Sequence, residues 1–375
     1  MPYRETLNAM ALTRVSHFNL AIMHQLYNAL GSATAIVDNK DCLRDVCPEC
    51  PQRIADSLRR IDDALIRAQA ELEYNISHGI ETLHIGDSRY PQRLKECDDA
   101  PLVLFYKGNA DLNTARIINI VGTRKCTPYG QDVTERFVSR LRELCPRVLI
   151  VSGLAYGIDI IAHKAALRNS MDTVGVLAHG LDTLYPSRHS ETARQMLEHG
   201  GLLTEFFTNS NADKVNFVRR NRIVAGMSDA TVLIESAAHG GGLITARLAM
   251  DYNRSVFAVP GRTVDTYSEG CNNLIRDNVA ALMNSADDFV QAMGWQDDAL
   301  LHAAQSQGIE RTLFPELSPD EQRVVDALRK ENNQQINMLA VTSGIAINRL
   351  TAVLFTLEMN GIIRSQAGGI YHLID

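Results

Sequence analysis

Residues 216–250 read NFVRRNRIVAGMSDATVLIESAAHGGGLITARLAM. The stretch opens with three arginines within residues 219–222, continues with an apolar run over 231–234, and reaches Glu235 and a glycine turn over 240–242. An apolar segment with helical spacing follows. A strand, a glycine turn and a helix start in this order are typical of an anion site, because the first N–H groups of a helix have no partner within it. The stretch therefore predicts a phosphate ligand, which is a free nucleotide, a dinucleotide cofactor or a nucleic-acid backbone.

On both sides of this stretch, from Thr82 onward, short apolar runs alternate with segments of helical spacing. The alternation predicts βαβ units, and hence an α/β fold with an extended, Rossmann-like parallel sheet. The predicted strands cover residues 102–106, 116–121, 148–151, 173–177, 231–234 and 255–259. Small-residue loops follow four of these runs, at residues 122–124, 152–157, 178–180 and 235–242. Such loops lie along the carboxyl edge of an open parallel sheet, which is where ligands bind.

Two smaller modules flank this predicted core, which we place at residues 76–296. Residues 1–75 show apolar side chains at helical spacing and predict an all-helical, SAM-like module. A polar and acidic linker is predicted over 297–317. The tail, 318–375, begins with Ser318 as a helix N-cap and Glu321 as its capping-box partner. Three helices followed by a glycine-tipped hairpin then predict a winged-helix domain.

The composition is that of a soluble globular protein, with 45% hydrophobic and 22% charged residues in a chain of 375. No apolar run reaches the length of a membrane span, and the N-terminus lacks the apolar segment of a signal peptide. We therefore expect a cytoplasmic protein with reduced cysteines and no membrane partner. The net charge is −7, but residues 76–296 carry 23 basic and 24 acidic groups. A local basic patch on this nearly neutral core is compatible with the sequence.

Two nucleotide-binding fingerprints, GxGxxG after a strand and GxxxxGK[ST], are absent from the sequence, and we expect no cofactor. Cys42, Cys47 and Cys50 have the spacing of part of a zinc knuckle, but a fourth ligand is missing nearby, so we expect no metal. Asp159 and His163 lie at positions i and i+4 of a predicted helix, where capping and packing explain them without acid–base chemistry. No constellation of residues predicts an enzyme.

The loops resemble those of a known family. The motifs VGTRKCTPYG, SGLAYGIDIIAHKAAL, YPSRH, NFVRRNRIVAG, ESAAHGGGLITARLAM, FAVPG and GCNNLIRD occur in the order seen in the DNA-processing protein A family (DprA, also called Smf). YPQRL and DAPLVLFYKGN before them match as well. The chain resembles this family over residues 80–283, and its helical front and winged-helix tail are similar to the family's three-part layout.

The resemblance implies a non-enzymatic, single-stranded-DNA binding protein of natural transformation, or competence, and recombination. Such a protein protects incoming strands, contacts their phosphate backbone without regard to sequence, forms a homodimer through the Rossmann-like domain, and loads the RecA recombinase. The phosphate- and DNA-contacting positions that it implies are Gly122, Thr123, Arg124, Ser152, Gly153, Tyr156, Lys164, Arg220, Asn221, Arg222, Gly241, Gly242 and Thr245. Asp159 and Glu235 support them, and we interpret Glu235 as an orienter of nearby arginines.

Several positions depart from the family's pattern. Tyr156 stands where the family usually has arginine, and it offers a ring on which a base could stack. Gly240 and Gly242 replace the usual serines, which removes two hydroxyl groups and keeps the backbone donors. Val218 stands where proline is common. Residues 15–18 replace a glycine-rich hairpin, which argues against DNA binding by the front module.

The tail also departs from the pattern of a DNA reader. Its candidate recognition helix, predicted over 346–360, contains one basic residue, Arg349, and one acidic residue, Glu358. A helix that reads DNA normally brings several cations, because phosphate contacts dominate affinity. A protein-contact or spacer role is therefore the prediction for the tail.

Two other functions stay open. A nucleotide phosphoribohydrolase of the related glycine-loop group carries a PGGxGTxxE-type motif, whose glutamate supports glycosidic cleavage. When Thr245 is aligned with the threonine of that motif, the following residues are alanine, arginine and leucine, and the carboxylate is absent. A nucleotide-sensing scaffold would use the same pocket for a mononucleotide.

Overall fold

A computed structural model describes residues 3–15, 19–48, 50–295, 317–332, 334–360, 362–366 and 370–373. The chain divides into two compact units, Met1–Leu301 and His302–Asp375. In the described part of the chain no single helix is long and apolar enough to cross a membrane, although two helices bent by 101° to each other, Ile336–Ser343 and Ile347–Met359, together reach that length and composition.

The first unit begins with a helical module. Its core includes the fully buried side chains of Met10, Leu12 and Met23, which pack with the sheet residues described below into one apolar cluster. Gly31 adopts a left-handed conformation (φ +82°) and ends the second helix, a common role for glycine. The helices are α1 (Arg4–Val15), α2 (Leu20–Leu30), α3 (Ala33–Asp38), α4 (Leu43–Val46), α5 (Gln52–Arg59) and α6 (Asp62–Ser77).

A nine-stranded sheet follows the helical module. Its strands are β1 (Glu81–His84), β2 (Val103–Gly108), β3 (Ile117–Val121), β4 (Leu149–Ser152), β5 (Thr173–Val176), β6 (Gly200–Thr204), β7 (Ala230–Leu233), β8 (Ser255–Ala258) and β9 (Ala281–Leu282). Their order is β1-β2-β6-β5-β4-β3-β7-β8-β9. Within this order, the seven neighbouring strands β6-β5-β4-β3-β7-β8-β9 are parallel to one another. This confirms the predicted α/β class with a parallel-dominated sheet.

The edge formed by β1 and β2 is antiparallel, unlike the rest of the sheet. No long crossover helix joins these two strands, since only the four-residue helix α7 (Gln92–Lys95) lies between them. Parallel neighbours require a crossover of a dozen or more residues, usually a helix. The alternating pattern that predicted βαβ units therefore begins only at β3.

The strand order reverses at β3. Strands β4, β5 and β6 extend the sheet on one side of it, and β7, β8 and β9 extend it on the other. Ligands bind outside the carboxyl ends of the strands at such a reversal. The helices between and after these strands are α8 (Pro128–Leu144), α9 (Ile158–Arg168), α10 (Ser190–Glu198), α11 (Lys214–Gly226), α12 (Gly241–Asp251), α13 (Glu269–Arg276) and α14 (Ala286–Ala292).

The second unit contains α15 (Pro319–Lys330), β10 (Gln334–Gln335), α16 (Ile336–Ser343), α17 (Ile347–Met359), β11 (Ile363–Gln366) and β12 (Ile370–Leu373). Ser318 and Glu321 form the predicted capping box at the start of α15. Three helices and a small sheet confirm the winged-helix prediction. The guanidinium of Arg349 lies 2.6 Å from the carboxylate of Asp320, so the cation of the candidate recognition helix is already paired within this unit.

Candidate nucleic-acid interface

A cleft of about 660 Å³ opens at the carboxyl edge of the sheet, where the strand order reverses. Four segments line it: the loop after β3, the loop after β4, one face of α11, and the turn that leads from β7 into α12. Its lining residues include Gly122, Thr123, Arg124, Gly153, Asp159, Arg220, Asn221, Gly241, Gly242 and Thr245. The structure therefore brings together ten of the residues singled out from the sequence.

The loop after β3 is held from two sides. The Thr123 N–H donates to the Glu235 carbonyl (2.8 Å), and the Thr123 carbonyl accepts from the N–H of Ile158 (3.2 Å). A side chain at Gly157 could not coexist with this contact, because φ is +78° and a Cβ would lie 2.1 Å from the Thr123 carbonyl oxygen. The exposed Arg124 side chain thus extends from a fixed backbone.

Glu235 corrects one interpretation made from the sequence. Its buried carboxylate accepts hydrogen bonds from the Thr127 N–H (2.9 Å) and from the Thr127 hydroxyl (2.5 Å). A carboxylate at a helix N-terminus is stabilised by the unpaired N–H groups and the helix dipole. Glu235 therefore anchors the start of α8 to the end of β7, and the view of it as an orienter of arginines is wrong.

Arg220 anchors the loop after β4. Its guanidinium donates to the Gly153 carbonyl (2.5 Å) and to the Val176 carbonyl, which joins the carboxyl ends of β4 and β5. Burial lowers the pKa of Arg220 to about 10, which leaves it charged at neutral pH. Burial raises the pKa of Asp159, and the positive charge of Arg220 opposes that rise. A Cβ on Gly153 would lie 2.3 Å from the guanidinium and 2.5 Å from the Asp159 carboxylate, so a side chain at this position would have to displace one of these two buried groups.

The turn before α12 supplies backbone donors. Gly240 is the N-cap of α12, its φ is −77° and ψ is 154°, and no side chain caps the helix. The first N–H groups of such a helix point out of its end without an intrahelical partner, and the helix dipole adds positive potential there. Gly241 and Gly242 line the cleft at this end. The structure thus places a helix start without a side-chain cap in the same cleft as the loop that carries Arg124.

The cleft-facing side of α11 was only partly found from the sequence. Asp213 caps the helix by accepting from the Asn216 N–H (2.8 Å). Lys214, Phe217 and Asn221 follow at intervals of three and four residues, so they share one face, and all three line the cleft. The guanidinium of Arg124 lies 4.7 Å from the centre of the Phe217 ring. Sequence reasoning named Asn221 and missed its two helical neighbours.

Arg222 lies on a different face of α11. The structure contradicts the prediction that it contacts phosphate. It lies two positions after Arg220, which is a rotation of about 200° around a helix. Its side chain is 7% exposed and forms a 2.5 Å ion pair with Glu205, whose side chain is 6% exposed. Asp99 lies 4.0 Å from it. Arg222 is therefore a buried structural cation and does not line the cleft.

Three further predicted residues lie outside the cleft lining. Ser152 is fully buried, and its hydroxyl donates to the Ile120 carbonyl (2.6 Å), so it joins β4 to β3 instead of facing a ligand. Tyr156 is 40% exposed and packs edge-on against His189 at 5.1 Å. Lys164 is exposed on α9, one turn after Ile160. For Tyr156 and Lys164 a contact with DNA stays a prediction.

The charges that line the cleft favour an anion. Arg124, Lys214 and Arg220 contribute three positive charges against the single carboxylate of Asp159, a local balance of +2 in a protein whose net charge is −7. Arg124 and Lys214 are exposed, while Arg220 is buried and already hydrogen-bonded. Arg124 and Lys214 are therefore the lining cations that an anion in the cleft can reach, whereas the guanidinium of Arg220 is already occupied by backbone carbonyls.

His163 and Asp159 do not form an acid–base pair. His163 is fully buried, and its Nδ1 lies 2.7 Å from the Thr173 hydroxyl, which itself donates to the Ile150 carbonyl. Burial lowers the pKa of His163 to about 3, and the charge of Arg220 lowers it in the same direction. His163 is thus a neutral structural side chain behind the cleft.

This burial predicts an acid sensitivity. The unfolded chain binds a proton on this histidine below about pH 6.5, whereas the folded protein does so only near pH 3. Above about pH 6.5 the neutral His163 does not reduce the free energy of unfolding. Between about pH 6.5 and pH 3 the unfolded chain gains a proton that the folded protein does not bind, so the free energy of unfolding falls by about 1.4 kcal/mol for each pH unit. Urea unfolding between pH 7 and pH 4 measures the slope. We expect a shallower slope for His163→Gln and an unchanged slope for the exposed-site control His199→Gln; equal slopes for wild type and His163→Gln would refute this role.

Comparisons with known proteins agree with this geometry. The family model described as DNA recombination-mediator protein A matches residues 81–294, and that of the DprA winged helix domain matches residues 311–369. The DNA processing protein DprA of Bacillus subtilis is 38% identical over 213 residues, which cover 56% of this chain and 71% of that protein.

Two solved structures are similar to this one. The X-ray structure of DNA processing protein A from Streptococcus pneumoniae has 32% sequence identity and a TM-score of 0.65, and the match covers 76% of this chain and 97% of that chain. DNA processing protein A from Helicobacter pylori, described for its single-stranded DNA binding mode, has 28% identity and a TM-score of 0.52, with 57% and 95% covered. These matches confirm the resemblance read from the loop motifs, and the chain belongs to the DNA recombination-mediator protein A family, the DNA-processing proteins called DprA or Smf.

Proposed function

We propose that this protein binds single-stranded DNA in the cleft, through the phosphate backbone and without regard to sequence. The observation that carries the proposal is that one cleft contains both an uncapped, glycine-rich helix start at Gly240–Gly242 and the exposed cations Arg124 and Lys214. Backbone N–H groups and cations both bind phosphate oxygens, and these contacts do not distinguish one base from another. The similar Helicobacter pylori protein, described by its single-stranded DNA binding mode, supports the same ligand.

Membership in the family supports a proposal for the wider role. We propose that the protein is cytoplasmic and non-enzymatic, protects strands that enter during natural transformation, and loads the RecA recombinase onto them. A homodimer through the Rossmann-like unit is part of this proposal. The three-part division into residues 1–75, 76–296 and 318–375, with a linker over 297–317, is proposed as its domain organisation. The paired Arg349 favours a protein-contact or spacer role for the winged helix.

A salt titration tests the binding mode. Neutralising a phosphate of a single strand releases counterions, so the logarithm of the binding constant falls by about 0.7 per logarithmic unit of salt for each phosphate contacted. We expect labelled oligo-dT and a mixed-sequence oligonucleotide of equal length to bind with similar affinity and with the same steep slope. Fluorescence anisotropy between 50 and 300 mM salt, roughly the range used for such slopes, measures both. A flat salt response or a strong dependence on sequence would contradict the proposal.

A further inference from the structure

The loop that leads into α11 is held by the helical front module. It covers residues 205–213, between β6 and α11. Thr208 lies in the middle of this loop and does not line the cleft. Its N–H donates to one oxygen of the Glu71 carboxylate (2.8 Å), and its hydroxyl donates to the other oxygen (2.6 Å). Glu71 belongs to α6 of the front module, and it is only 2% exposed.

Arg67 binds the same threonine from the preceding turn of α6. Its guanidinium donates to the Thr208 carbonyl (3.0 Å) and to the Thr208 hydroxyl (2.8 Å). It also lies 2.7 Å from the Glu71 carboxylate, an ion pair at positions i and i+4. The N–H, the carbonyl and the hydroxyl of Thr208 therefore all have charged partners on α6. Hydrogen bonds with a charged partner are about twice as strong as neutral ones.

Phe207 fixes the same part of the loop through its ring. The ring is buried and packs edge-on against Phe105 of β2, with the ring centres 5.2 Å apart. The guanidinium groups of Arg14 on α1 and Arg67 on α6 lie 5.5 Å and 5.2 Å from the ring centre. Such cation–π contacts are stronger where the ring is desolvated. Two helices of the front module thus hold two consecutive residues of the loop.

The loop in turn positions the first turn of α11. Five residues separate Thr208 from Lys214, the first residue of the helix. Within this span the Asn211 carbonyl accepts a hydrogen bond from the side chain of Asn216 (2.9 Å), which belongs to α11. Lys214 and Phe217 in this turn line the cleft. A displacement of the loop would therefore move the part of α11 that carries the exposed cation.

We propose that Glu71 and Arg67 are positioning residues for DNA binding, because they fix Thr208 and thereby hold Lys214 where it meets a phosphate. This inference rests on the proposed binding of single-stranded DNA in the cleft. It gives the front module a role in binding without any DNA contact of its own. When the contact with Thr208 is weakened, the loop occupies other positions as well. The affinity then falls by the fraction of molecules in which Lys214 is in place.

Thr208→Val tests the proposal without changing any charge. The variant keeps the shape of the side chain and removes the hydroxyl that binds Glu71 and Arg67. We expect oligo-dT to bind about tenfold more weakly, the factor that a hydrogen bond to a charged group contributes at the lower end of its range. The salt slope should also fall by about 0.7, because a displaced Lys214 no longer neutralises a phosphate. A role in stability alone would leave this slope unchanged. Fluorescence anisotropy measures both quantities.

Two substitutions are matched controls. Thr208→Ser keeps the hydroxyl and should retain the affinity and the salt slope of wild type. Thr82→Val makes the same chemical change at another hydrogen bond between α6 and the sheet, in which the Thr82 hydroxyl accepts from the side chain of Asn75 (3.1 Å). It should also bind like wild type. Circular dichroism checks that each variant is folded at the assay temperature. If Thr208→Val is unfolded there, Thr208→Ala, which adds no bulk, takes its place.

The outcomes separate this inference from the proposed function. A lower affinity and a lower salt slope in the hydroxyl-deficient Thr208 variant, with wild-type values in both controls, support the positioning role. Wild-type affinity, an unchanged slope, or an equal loss in either control overturns it and leaves the cleft as the DNA site. If the wild-type protein does not bind oligo-dT, both the proposed function and the positioning role are overturned.

Discussion

Replacing Arg222 by alanine is expected to lower the free energy of unfolding by about 3–5 kcal/mol, the usual cost of removing one partner of a buried ion pair. The variant would leave the Glu205 carboxylate buried, 6% exposed, without its 2.5 Å partner. Burial already raises the pKa of Glu205, and the charge of Arg222 opposes that rise. Urea unfolding of the purified variant at neutral pH measures the loss.

A double variant tests whether the loss of stability comes from the unpaired charge of the Glu205 carboxylate. Arg222→Met combined with Glu205→Leu replaces both charges by apolar side chains of similar volume, and replacing a buried pair in this way is often close to neutral. We expect the double variant to recover most of the stability lost in Arg222→Ala. If Arg222→Ala is as stable as wild type and its only defect is in DNA binding, then Arg222 faces the ligand and its structural assignment is wrong.

Arg124→Ala, in contrast, is expected to weaken DNA binding and to leave the stability of the protein nearly unchanged. Its side chain is exposed and touches the face of Phe217, an interaction worth about 0.5–1 kcal/mol at exposed sites, so the melting temperature should change little. A charge-assisted hydrogen bond to a phosphate contributes about 1.5–3 kcal/mol, so oligo-dT should bind roughly 10- to 100-fold more weakly. The salt slope should also fall by about 0.7, the equivalent of one phosphate.

Arg247→Ala is the matched control for this binding defect. Arg247 is exposed on α12, the helix that begins at the glycine turn, but it does not line the cleft. Both variants lose one positive charge, so a general electrostatic effect would weaken them equally. We expect Arg247→Ala to keep the affinity and the salt slope of wild type. If Arg124→Ala binds oligo-dT with the affinity of wild type, Arg124 does not contact the DNA.

The sequence predicted the sheet and the position of the site well, because these depend on patterns that are local in the chain. Apolar runs located β2, β3, β4, β5, β7 and β8. Small-residue loops follow β3, β4, β5 and β7, and parallel strands bring such loops to one edge. Strand β6, Gly200–Thr204, was not predicted, and its two glycines obscure the apolar run. The antiparallel pair β1–β2 depends on the connection between the strands, which an apolar pattern does not specify.

The sequence predicted the roles of single arginines less well. A motif such as Arg220-Asn221-Arg222 names three adjacent residues, but adjacent residues of a helix point about 100° apart. A helical wheel centred on Asn221 identifies Lys214, Phe217 and Val224 as its neighbours on one face, and all line the cleft. It also separates Arg222 from Arg220. The partner of Arg222, Glu205, lies 17 residues earlier at the end of β6, and this long-range contact required the structure.

A structure of the protein with a short oligo-dT strand tests the central claim most directly. We expect a phosphate within hydrogen-bonding distance of the Arg124 guanidinium and of the backbone N–H groups at Gly241 and Gly242. Lys214 should lie within reach of the same or the neighbouring phosphate, and Arg222 should remain paired with Glu205. A strand bound at another surface, with the cleft between the β3 loop and α12 free of any phosphate, would contradict the account.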